Sequence, residues 1–111
     1  MTTKRNIAGF SRYCKWHDLA PIAWFREEDY SAAREMFRPT NYLPPWEEWL
    51  QRAQEQERVL QAQGLIVERV YLDLDSFVSW CKRNGKRIDA QARIDFAVDF
   101  VARKYNPRRD N

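Results

Sequence analysis

Between residues 65 and 72 the chain reads Leu65-Ile66-Val67-Glu68-Arg69-Val70-Tyr71-Leu72, a β-branched and aromatic run closed by turn signals at both ends. Nothing else in the sequence is as strongly strand-like, and that isolation constrains the fold more than any other feature. A strand by itself leaves a row of backbone donors and acceptors unpaired. It must be shielded by the shorter apolar run Ala20-Pro21-Ile22-Ala23-Trp24-Phe25, or by a second copy of the chain. Pro21 fits the first or an edge position of such a strand, because it has no N–H to give.

The rest is read as helix, mainly from its ends. A first helix is expected over Glu27–Phe37, with Glu27, Glu28 and Asp29 complementing the exposed amides of its first turn. Tyr30, Ala33 and Phe37 form its apolar stripe, and Pro39 stops it. A second runs from Pro45 to Gln63, opened by Pro and two glutamates and closed by Gly64 in a left-handed conformation. Trp46, Trp49, Leu50, Ala53 and Leu60 share one side of it. Asp73 caps a third helix that carries Phe77, Trp80 and Cys81 inward and ends at Asn84-Gly85. Asp89 caps a fourth, Ala90 to Tyr105, with Ala90, Ile94, Ala97, Val98, Val101 and Tyr105 as its inward stripe. Ile7 to His17 fits neither period well. The expected architecture is α+β and helix-dominated, about four helices packed on a small sheet of one or two strands.

At 111 residues this is one domain. Residues 1–6 are expected to be a disordered N-terminus, 7–105 a single globular domain, and 106–111 a basic polar tail. Lys4-Arg5 has no apolar run behind it, so no secretory signal is expected. The expected setting is cytoplasmic, with Cys14 and Cys81 as free thiols. No stretch approaches the length of a membrane span.

Charge is uneven: residues 1–20 sum to +3, residues 21–75 to −5 and residues 76–111 to +5. Such basic ends around an acidic middle serve solubility first. Five Trp, five Tyr and six Phe exceed what one small core needs, which points some of them at a partner. In the fourth helix Phe96 and Phe100 fall away from the stripe centred on Ile94, forming a second ridge at i, i+4. That ridge is covered either by the Ile7–Phe25 region or by another chain. Phe96, Phe100, Trp16 and Trp24 are therefore the candidate protein-interface residues.

Catalytic motifs fare less well. Val70-Tyr71-Leu72-Asp73-Leu74-Asp75-Ser76-Phe77 resembles the first motif of haloacid dehalogenase-type phosphatases, and Asp-Leu-Asp-Ser-Phe is similar to the metal-binding start of Y-family DNA polymerases. Either resemblance implies two carboxylates holding Mg²⁺ beside a phosphate. The string covers under a dozen residues, and too little chain follows Asp75 for the large α/β body such enzymes need. Phe77 also stands where the phosphatase pattern has Thr or Val. A helix cap and a first-turn acid account for both aspartates. Cys14 and His17 have the spacing of half a zinc site, but a full one needs two more ligands. No phosphate loop, nucleophile elbow or His-Glu-x-x-His is present. The reading is non-enzymatic, with no cofactor and no metal.

Lys82, Arg83, Lys86 and Arg87 make the densest basic cluster and are the candidate nucleic-acid contacts. Two of them also sit where a helix C-terminus favours cations. Finally, Pro45-x₃-Trp49-Leu50-x₂-Ala53, Leu60-x₃-Gly64, Val70, Asp73, Phe77 and Trp80-Cys81-x₃-Gly85 resemble a family of small uncharacterised bacterial proteins. That resemblance spans about half the chain and implies a bacterial or mobile-element origin without an activity. The expected function is a protein-interaction or regulatory protein, self-association included; the alternatives are nucleic-acid binding through a basic face and, last, Mg²⁺-dependent phosphoryl transfer.

Overall fold

The computed structural model describes residues 18–105. Trp16, Cys14, His17 and the readings of segments 1–6, 7–17 and 106–111 lie outside the described residues. In chain order the elements are β1 (Leu19–Trp24), α1 (Glu27–Phe37), α2 (Trp46–Ala62), β2 (Ile66–Tyr71), α3 (Leu74–Arg83) and α4 (Ala90–Tyr105). Helices dominate a small sheet, as the sequence predicts. None of the described helices is long and apolar enough to cross a membrane.

The strong strand finds its partner inside the chain. β1 and β2 pair in parallel, Leu19 opposite Ile66 through Trp24 opposite Tyr71. Parallel strands need a long crossover, and α1 and α2 supply it. The helix ends follow local chemistry. Asp73 accepts a hydrogen bond from the Ser76 amide at 3.0 Å, and Asp89 accepts one from the Ala92 amide at 2.9 Å. Gly64 ends the α2 turn at φ +89°, a conformation that side-chain-bearing residues rarely adopt.

Side chains alternate across the sheet, and the alternation sorts the helices onto opposite faces. Leu19, Ala23 and Val70 pack against Ala97 and Val101 of α4. On that face Glu68 also takes hydrogen bonds from Lys104 Nζ at 2.6 Å and the Tyr105 hydroxyl at 2.7 Å. Burial works to raise the Glu68 pKa, but these donors and the Lys104 charge outweigh it and hold the carboxyl below its usual range. On the other face the Arg69 guanidinium lies 3.8 Å from the Trp24 ring centre and grips Glu57 of α2 through two hydrogen bonds, 2.8 and 3.0 Å. Hydrogen bonding from Arg69 is likewise what lowers the Glu57 pKa.

Below the sheet the core is aromatic. Trp24, Phe25, Tyr30, Phe37, Trp46, Trp49, Phe77, Trp80 and Phe96 form one connected set of ring contacts with centroids 5.1–6.5 Å apart. Edge-to-face geometry prevails, as the ring quadrupoles favour. Most rings of the described residues are thus taken up within one copy, while Tyr42, Tyr71 and Phe100 stay exposed.

α4 is the element whose orientation departs from expectation. Ala97 and Val101 point inward as predicted, but Ile94 and Val98 are 54% and 47% exposed. Phe96 instead packs edge-on against Phe77 and Trp80, each at 5.5 Å. The reason is that α4 has two neighbours, the sheet and α3, so its buried arc is wide and turned toward Phe96. Ile94 and Val98 are left at the margin.

Candidate functional site

Of the predicted interface residues, Trp24 is 3% exposed and closed over by Arg69, and Phe96 is part of the core. Trp24 offers no surface in a single copy, and Phe96, partly buried against the core, offers only part of its ring. Phe100 is 46% exposed. Among the described residues, Trp24, Phe96 and Phe100 are therefore not assembled into one patch. In the basic cluster Lys82, Arg83, Lys86 and Arg87 are all exposed around the α3 C-terminus, but Lys86 Nζ is committed to Asp95 at 3.3 Å. Hydrogen bonding from Ser76, its side chain first and then its amide, lowers the Asp73 pKa, and Asp75 stands exposed in the same turn. Cys81 is a buried free thiol whose pKa is pushed up by desolvation. Among the described residues no three His, Cys, Asp or Glu side chains converge to hold a metal.

The cap reading of Asp73 has a direct test. Asp73→Ala should lower the melting temperature, whereas Asp75→Ala should leave it within about 2 °C, the scale of a surface change. Added Mg²⁺ should move neither the wild type nor the variants; a rise with Mg²⁺ that needs both aspartates would instead make them metal ligands.

A different place gathers more function-bearing geometry. A groove of about 320 Å³ is lined by Pro21, Ile22 and Ala23 of β1, by Trp49, Arg52, Ala53 and Gln56 of α2, and by Ala90, Arg93 and Ile94 of α4. Consecutive β1 residues of both parities line it, together with helices from both faces. The groove accordingly runs along the outer edge of β1. Hydrogen bonding agrees: the Leu72 amide donates to the Trp24 carbonyl at 2.9 Å, so Trp24, and with it Ile22 and Ala20, turn their backbone groups toward β2. Leu19, Pro21 and Ala23 turn theirs outward. Pro21 stands where its missing N–H costs the sheet nothing. Among the described residues no strand pairs with this edge.

Inside the groove Arg93 is the unusual residue. Its guanidinium carbon lies 4.9 Å from the Phe37 ring centre and 5.4 Å from that of Phe25, over residues that are 0% and 2% exposed. Those rings sit against the guanidinium as cation–π partners. Its Nη1 is buried and has no hydrogen-bond partner among the described residues. Tyr30 and Asp89 stand close enough to favour its charge, yet the Tyr30 hydroxyl donates to the Pro44 carbonyl at 2.5 Å and Asp89 is occupied as the α4 cap. Desolvation prevails and lowers the Arg93 pKa. Arg52, the second cation on the groove, is exposed and pairs with Glu48 at 2.5 Å.

Sequence reasoning passed over Arg93. The signal available was its position between Ala92 and the inward pair Ala97 and Val101, an arc that only the true orientation of α4 exposes. No family model matches the sequence, and comparison with curated proteins and with solved structures returned no match.

Proposed function

We propose that this chain is a protein-interaction module that receives an extended segment of another protein along the outer edge of β1, between α2 and α4. The observation that supports it is the edge left unpaired among the described residues, flanked on both sides by helices and continued along α4 by the exposed Ile94 and Val98. An added strand would draw affinity from the outward backbone groups of Leu19, Pro21 and Ala23, and selectivity from side chains that alternate between the two helices. Its setting is a bacterial cytoplasm, as in the small proteins the sequence resembles. Self-association at this edge is disfavoured, because a two-fold contact would gather the Arg52 and Arg93 cations of both copies in one interface.

Ile94→Asp tests the reading, since the side chain is exposed and the fold does not depend on it. Immobilised wild type should retain a partner from a soluble extract that Ile94→Asp loses, while Phe100→Asp on the far side of α4 keeps it. Retention by all three proteins would overturn the groove. Sedimentation should show a monomer, and a dimer abolished by Ile94→Asp would replace the foreign partner with a second copy.

The alternative is nucleic-acid binding through Lys82, Arg83, Lys86 and Arg87. It draws on the exposure of Lys82, Arg83 and Arg87 without acidic partners among the described residues. Retardation of duplex or single strands at low salt, lost on replacing these cations, would favour it over the groove.

A further inference from the structure

We infer that the groove selects an acidic side chain: the Arg93 guanidinium is the receptor for a carboxylate carried by the extended partner segment. This rests on the groove being the docking surface and adds the chemistry of what docks there.

The argument begins with the geometry of guanidinium recognition. The faces of the group are served by aromatic rings, and its N–H donors radiate in the plane. At Arg93 the rings of Phe25 and Phe37 are present, while Nη1 has no acceptor among the described residues. Nη1 itself is enclosed by the chain, so a carboxylate in the groove meets the part of the Arg93 side chain that lines it and offsets a charge that burial disfavours. The groove is built for the same sign of charge. Its lining contains Arg52 and Arg93 and no Asp or Glu. Residues 1–17 of the chain hold four basic side chains and no acid, so they do not supply the carboxylate. Around the charge the lining is apolar or small: Pro21, Ile22, Ala23, Ala53, Ala90 and Ile94. An Asp or Glu flanked by β-branched residues in an extended segment matches that surface. A second copy of the chain does not, since it would present the same two arginines.

The experiment is a nine-residue random peptide library displayed on phage and panned against the full chain, the Arg93→Met variant and the Ile94→Asp variant. Wild type should enrich peptides with an Asp or Glu at one fixed position between β-branched residues. For a synthetic peptide from that pool, changing the acid to its amide should weaken binding to wild type by about tenfold or more. The same change should cost Arg93→Met less than about threefold, because the cation that reads the acid is gone. Equal losses in both proteins would overturn the inference. Enriched peptides that lack an acid yet fail on Ile94→Asp would sink the carboxylate receptor and leave the groove standing. Peptides indifferent to both variants, or no enrichment at all, would remove the groove and the inference together.

Discussion

Phe77→Ala is expected to remove about 3–5 kcal/mol of folding stability, read as a fall in the urea midpoint. Phe77 is 0% exposed and touches Phe37 of α1 at 5.6 Å, Trp80 of its own helix at 6.5 Å and Phe96 of α4 at 5.5 Å. It therefore ties three helices at one point. Deleting the ring loses its transfer energy and leaves a cavity that these rigid neighbours refill only in part. Domains of this size hold about 5–15 kcal/mol in all, so the variant would lose a large share of what keeps it folded. Phe77→Leu preserves more of the volume and should cost less than half as much. A loss under about 1 kcal/mol for the alanine variant would mean that the aromatic network is not the structural core.

That network explains which parts of the fold were legible. Helix ends were, because they are local: Asp73 and Asp89 carry their caps within three residues, and Gly64 and Gly85 take positive φ where the helices stop. The strand Ile66–Tyr71 was legible from composition, and its need for a partner from elementary hydrogen-bond accounting. The partner was left between Ala20–Phe25 and a second copy, since no local signal separates the two; the structure pairs the strand with Leu19–Trp24. The inward side of α4 was not legible either. Its periodicity fits a stripe centred on Ile94, but a helix wedged between a sheet and another helix buries a wider arc than one stripe describes. The same wedge draws Phe96 into the core and exposes Ile94 and Val98. Trp24 was assigned to a surface for a related reason. Arg69 covers it from a residue that sequence places two positions before Tyr71, and only the parallel register brings that guanidinium over the indole.

Arg93→Met should act in the opposite direction from Phe77→Ala, with a small rise in stability of no more than about 1 kcal/mol. Met has a similar length, helix propensity and flexibility, and its thioether packs well against rings such as Phe25 and Phe37. The substitution forfeits two cation–π contacts, each worth about 0.5–2 kcal/mol. Against that it relieves a buried cation whose Nη1 has no acceptor among the described residues and whose burial already lowers its pKa. Leaving such a donor unmet costs about 1–3 kcal/mol, more for a charged group, so removal of the charge should prevail. A fall in the urea midpoint would show that Arg93 is satisfied in solution by a group inside the chain, and the groove would then have no free cation to offer. A rise, together with loss of acid selection by the same variant, would locate both effects in one side chain. The folded state would be carrying an unpaired charge that a partner, and not the chain, neutralises.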